Sequence, residues 1–115
     1  MKALSIKEPW LSMIVDGKKT IETRTWVAPT SLYNGNLLLV GSKKPDGRFA
    51  GKAACVVKII DCHPMRKADE EAACCEVYPR AWSWVFSDVQ KIKPFPVKGQ
   101  LGVYDVDNNL IEVMK

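Results

Sequence analysis

Eight consecutive residues, Gly17-Lys18-Lys19-Thr20-Ile21-Glu22-Thr23-Arg24, bring an ammonium, a carboxylate and a guanidinium into one short span. Trp10 lies upstream of them and Trp26 just behind. In a strand, alternate side chains share a face, so Thr20, Glu22, Arg24 and Trp26 are expected to point one way, with Lys19 at the lip of the glycine turn. Such a face suits a flat, polar, anionic ligand. Arg24 offers a planar fork to a phosphate or a base edge. Trp10 or Trp26 offers a stacking surface, worth about 1–3 kcal/mol per base. Lys43 and Lys44, after the third apolar run, are placed to neutralise backbone phosphate, each such contact steepening the salt dependence of binding.

The same residues also carry a catalytic reading. In amide hydrolysis Lys19 would activate water or attack, Glu22 would relay a proton, and Arg24 or Thr20 would steady an oxyanion. In RNA cleavage the trio would deprotonate a ribose hydroxyl and protonate the leaving oxygen. Spacing does not choose between them. It equally allows a plain solvated strand face, whose cross-strand ion pairs contribute about 0.2–1 kcal/mol each. His63 is the only histidine. It sits between an apolar run and Pro64, reads as a structural end-cap, and excludes any mechanism that needs a histidine pair.

The elements that must hold these groups follow from pattern. Lys2 to Ile6 reads as a strand. Pro9 opens a two-turn amphipathic helix through Trp10, Leu11, Met13, Ile14 and Val15, and Gly17 ends it. The signature strand is expected from about Thr20 to Trp26. Asn34-Gly35 marks a tight turn. Leu37 to Val40 and Ala53 to Ile60 are apolar runs short enough for buried strands, separated by a polar, basic loop. Met65 to Glu76 is expected as a helix, broken by Pro79. Trp82, Trp84 and Phe86 alternate along a strand as an aromatic stripe. This stripe is read as core; were it exposed, an adaptor that docks protein would be a further alternative. Asp88 to Pro96 continues extended, with prolines that belong at an edge. Leu101 to Val106 closes the set. Strands outnumber helices too heavily for a parallel α/β sheet. The expected fold is a mixed β-barrel, closed or nearly so, with flanking helices (α+β), in one domain over residues 1–115.

Size and composition agree with an ordinary globular chain. It has 115 residues, 26% charged and 47% hydrophobic, and a formal net charge of +4. Lys43, Lys44, Arg48, Lys52 and Lys58 make a basic lobe, whereas Asp69, Glu70, Glu71 and Glu76 are acidic, so the surface is dipolar. No run approaches the ~20 apolar residues of a membrane span and no signal-peptide block leads the chain, so a cytoplasmic address without a membrane partner is expected. Cys55, Cys62, Cys74 and Cys75 show no C-x-x-C pair. Together with His63 they lack the spacing of a zinc site and read as reduced thiols. No metal and no cofactor are expected.

Taken together, Ser5-Ile6-Lys7-Glu8-Pro9-Trp10, the helix, the eight-residue signature and Trp26 resemble the activating signal cointegrator homology (ASCH) domain family of the PUA-like superfamily. Lys98-Gly99-Gln100-Leu101-Gly102 and the Trp82 to Phe86 stretch resemble small stand-alone bacterial or phage members. The resemblance spans essentially the whole chain. It implies a β-barrel of about six strands, helices over its openings, and a cleft between the first helix and the barrel lined by the signature. It implies binding of RNA or a modified nucleoside. Some relatives are hydrolases that deacetylate acetylated cytidine, and at least one is a ribonuclease. In the deacetylating branch the lysine at Lys19 is catalytic, an arginine matches Arg24, and a glutamate from elsewhere takes part, for which Glu70, Glu71 and Glu76 are candidates by region. That branch has threonine where this chain has Glu22.

Overall fold

The computed structural model describes residues 1–114. Six strands form one sheet: β1 (Lys2–Ile6), β2 (Ile21–Arg24), β3 (Asn36–Gly41), β4 (Lys52–Pro64), β5 (Trp82–Pro96) and β6 (Val103–Asp105). Their order across the sheet is β2-β5-β4-β3-β1-β6. Only β1 and β3 run parallel; every other neighbouring pair is antiparallel. The sheet curls into a half-barrel, and short helices flank it, as an α+β barrel-like fold requires.

Alternation along β3 shows how the sheet is covered. Leu37 and Leu39 join Leu4, Ile6, Leu11, Ile14, Trp84 and Phe86 in one apolar cluster. Leu38 and Val40 face the other way, into a cluster with Ala3, Ala53, Val56, Ile92 and Tyr104. A strand buried on both faces reads as a continuous apolar run, which is what Leu37-Leu38-Leu39-Val40 displays.

Helix α1 (Trp10–Val15) buries Leu11, Ile14 and Val15. Gly17, at φ +80°, turns the chain out of it. There the amides of Lys18 and Lys19 both donate to the Met13 carbonyl. The second helical segment is shorter than the expected 65–76. A 3-10 turn over Lys67–Asp69 leads into α2 (Glu70–Ala73), which ends at Cys74 in the left-handed region, φ +58°. The Asp69 carboxylate, accepting from the Arg66 amide, closes the 3-10 turn from which the helix continues, and the Cys74 conformation sets where it stops. Neither is visible in the apolar spacing.

β5 also differs from expectation, since the aromatic stripe and the following extended segment form one 15-residue strand. It pairs with β4 along its length through three register shifts, while β2 pairs only with Trp82 to Val85. Pro94 and Pro96 therefore lie where β2 no longer needs donors on the outer edge. Trp84 is 0% exposed and Phe86 5%. Trp84 and Phe86 are core, and Trp82 is partly buried against the same cluster. Among the described residues no helix is long and apolar enough to cross a membrane.

Candidate functional site

Lys19 follows the turn at Gly17 and points inward between the two helices. It is 2% exposed. Its Nζ donates to the Ala73 carbonyl at the end of α2 and lies 3.7 Å from Glu22 Oε1. The indole of Trp10, the first residue of α1, flanks the same ammonium, its centroid 5.3 Å away. A cation over an indole face is attracted by the ring's charge distribution.

Glu22 is 7% exposed. Its second oxygen takes Arg24 Nη2 at 3.1 Å. Arg24 Nη2 also donates to the Ser5 carbonyl at 2.6 Å, tying β2 to β1 across the mouth of the sheet. Arg24 Nε is buried and has no hydrogen-bond partner among the described residues. One carboxylate thus separates two cations. Such an arrangement is costly to desolvate and holds only where every charge has a partner.

These groups form part of the wall of a cavity of about 1280 Å³. Trp10, Lys19, Glu22, Arg24 and Lys43 all line it. The segment from Val97 to Gly102 makes another wall. Lys7 and Lys98, which composition alone did not single out as ligand contacts, join Lys43 as exposed lysines on that lining. Their signal was the resemblance of the segments around them, not their spacing. Among the described residues, five cationic side chains and a single carboxylate, Glu22, line the cavity.

Three expected ligand contacts lie elsewhere. Thr20 is exposed, and its backbone serves structure: its amide donates to Ala72 and its carbonyl accepts from Phe86. Trp26 falls beyond the end of β2 and packs edge-on against Trp84, centroids 4.7 Å apart. Its carbonyl accepts the Trp84 indole N–H at 3.1 Å. The single face expected for Thr20, Glu22, Arg24 and Trp26 therefore breaks at both ends, because the regular strand covers only Ile21–Arg24. Lys44 is exposed and is not among the lining residues. Glu70, Glu71 and Glu76 do not line the cavity either; Glu70 instead accepts from the Val77 amide at 2.8 Å.

Outside the cavity, His63 lies between Asp61 and Asp69 (Nδ1 to Asp61 Oδ2 2.7 Å, Nε2 to Asp69 Oδ2 2.8 Å). Burial works against the charge of Asp69, but the Arg66 amide, His63 and the Ser83 hydroxyl outweigh it and hold its carboxyl below the usual range. The hydrogen bond from His63 does the same for Asp61. Among the described residues no group of three or more His, Cys, Asp and Glu side chains is arranged to hold a metal ion.

A curled mixed sheet, a helix laid at its mouth and a lysine-glutamate-arginine trio between them define a barrel-like α+β domain with a cationic cleft. The chain belongs to the ASCH domain family, whose model matches residues 4–96. Solved structures with the same fold include a tyrosine-to-phenylalanine variant of the ASCH protein from Zymomonas mobilis. It is 12% identical, with a TM-score of 0.70 over 96% of this chain and 98% of that one. The unsubstituted Zymomonas mobilis protein is 13% identical, with a TM-score of 0.68 over 94% of this chain and 88% of that one. No curated protein matches the sequence at a significant level.

Proposed function

We propose that the cavity binds single-stranded RNA, seating one nucleotide, standard or modified, at the Lys19–Glu22–Arg24 floor. The observation that carries this reading is the charge pattern: a lining that holds, among the described residues, five cations and one carboxylate, together with the half-exposed indole of Trp10. Clefts lined by one sign of charge concentrate the opposite sign, and an aromatic beside a basic groove is how single strands are held without a sequence code. Volume favours a strand over a free nucleoside. About 1280 Å³ exceeds the ~300–1,000 Å³ of an ordinary small-molecule site. Lys7, Lys43 and Lys98 come from three separate segments and suit phosphates on either side of the seated nucleotide. Family membership supports an RNA-related role in general.

The test is binding of a short, fluorescently labelled single strand across a salt series. Affinity should fall linearly on a log–log plot, and Lys43→Ala or Lys98→Ala should each reduce the slope by about 0.7, the value for one lost phosphate contact on a single strand. No binding at low salt, or slopes unchanged in both variants, would contradict the proposal.

One observation favours a second reading, a small hydrolase acting on an acylated nucleoside. The Lys19 ammonium and the Glu22 carboxylate, 3.7 Å apart, share the cavity wall with Arg24. Lys19 would serve as the base or nucleophile once Glu22 has taken its ammonium proton, and Glu22 would return that proton to the leaving nitrogen. Lys19→Ala should then abolish turnover of acetylated cytidine while the far-ultraviolet circular dichroism stays native. Absence of product with the unsubstituted protein ends this reading and leaves the binding module standing.

A further inference from the structure

Single exposed apolar side chains are normal on a globular surface, and most of those found here, such as Val27, Ile60 and Leu110, lie away from the cavity. Among the described residues, two large exposed apolar side chains line it: Trp10, 37% exposed, and Leu101, 99% exposed. Trp10 belongs to the floor, where its ring flanks the Lys19 ammonium. Leu101 stands on another wall, with almost none of its surface covered by the chain.

The backbone holds Leu101 in that place. The Val97 amide donates to the Gly51 carbonyl at 3.0 Å. At Gly99 the chain passes so close to Ser5 that a Cβ would lie 3.1 Å from Ser5 Oγ, and that oxygen is itself fixed to the Tyr104 hydroxyl at 2.7 Å. Gly102, at φ +67°, turns the chain into β6, where Val103 pairs with Leu4 of β1. Leu101 sits between these fastenings, so little free chain remains to carry its side chain back to the core.

An apolar side chain fixed in water at the rim of a cavity gains by being covered. Its surroundings define the covering group. Lys98 is on the same wall, and Lys7 and Lys43 line the same space, so the ligand carries negative charge. A charged group cannot itself cover Leu101 without losing its water. The ligand therefore carries flat uncharged faces beside its charges, as a strand does with its bases and phosphates. The cavity, at about 1280 Å³, has room for more than the nucleotide at the floor.

We infer that Leu101 is a base contact for the nucleotide next to the one seated at the Lys19–Glu22–Arg24 floor, packing against the face of that base while Lys98 meets a phosphate. The inference rests on the RNA-binding reading and extends it: the ligand spans at least two nucleotides. The Leu101 side chain carries no donor or acceptor, so it covers any base and reads none.

A short labelled strand, and the same strand with one base at a time removed and its sugar-phosphate intact, separates base from phosphate. Leu101→Ser should weaken the intact strand about tenfold, by the same factor at every salt concentration, so the salt slope stays as it is. One of the abasic strands should bind the unsubstituted protein about tenfold more weakly than the intact strand does, and should bind Leu101→Ser no more weakly than that. Leu101→Phe, which widens the platform, should tighten the intact strand and leave that abasic strand where it was. Both variants should keep the native melting temperature, since the side chain packs against nothing. Unchanged binding of the intact strand by Leu101→Ser, or a loss of equal size on every strand, would overturn this inference and leave the RNA-binding reading standing. No binding of the intact strand to the unsubstituted protein at low salt would remove both.

Discussion

Glu22 stands between Lys19 and Arg24, and its removal would leave two cations facing each other with little water to screen them. Breaking one partner from a buried ion network costs about 3–5 kcal/mol, so Glu22→Ala should lose stability of that order in urea unfolding. Arg24→Ala leaves Glu22 its contact with Lys19 and should cost less. The reverse ranking would mean that Glu22 is not the hub. A second residue-scale outcome concerns the thiols. Burial alone pushes the Cys55 thiol up to about 12, and its side chain is 0% exposed. At pH 8 iodoacetamide should modify Cys74 or Cys75, both partly exposed, and reach Cys55 only after denaturant unfolds the chain. Prompt alkylation of Cys55 in the native protein would contradict the packing of the central sheet. At this scale the sequence was readable where charge and spacing coincide, as in Lys19, Glu22 and Arg24. It was not readable at Trp26, whose place is decided by Trp84, 58 residues away.

Helix α1 and β2 were legible because a proline, an apolar stripe and a glycine bracket them. Helix α2 and its anchor were not, because the Asp69 carboxylate, which closes the turn leading into the helix, is recognised only once β4 and β5 bring His63 and Ser83 to it. Long-range pairing of that kind leaves no local pattern. Two glycines separate geometry from crowding. A Cβ at Gly41 would lie 2.0 Å from the Phe49 carbonyl oxygen, so β3 and the following loop would have to part. Gly41→Ala should destabilise by about 1–3 kcal/mol or more, as overpacking does. At Gly17 no atom lies within 4 Å of an added Cβ, and only φ +80° resists it, so Gly17→Ala should cost about 1–2 kcal/mol of backbone strain. Thermal melts of the two variants give the ranking. The polar anchor of α2 predicts an acid limit as well. The native carboxyls of Asp69 and Asp61 titrate below the ordinary 3.8. Their stabilisation is full above that value and drains away as pH falls through the depressed native values. Asp69→Asn should flatten the loss of stability on acidification below 3.8, and an unchanged acid slope would show that Asp69 carries none of it.

Over the whole molecule, charge is divided between surface and cleft. The basic lobe from Lys43 to Lys58 is exposed at its charged residues. Only Lys43 of that lobe reaches the cavity wall, and Arg48 is engaged by Asp16 at 2.9 Å. Net charge alone therefore overstates how much of the surface is free for a polyanion, and the cavity lining is the better guide. The alternation of β3 between two apolar clusters made the buried sheet readable, whereas the cavity itself arises from the curl of six strands and has no counterpart in local spacing. The four tryptophans give the most direct test of the account, since each contributes one indole N–H signal in an NMR spectrum and they occupy different places. Trp10 lies at the cavity, while Trp84 is fully buried and bonded to the Trp26 carbonyl. On titration with a short single-stranded RNA at low salt, the Trp10 signal should move saturably and the Trp84 signal should hold still, with the Trp10 response fading as salt is raised. A Trp10 signal that stays in place at saturating RNA while the rest of the spectrum moves, or no response anywhere at low salt, would contradict it.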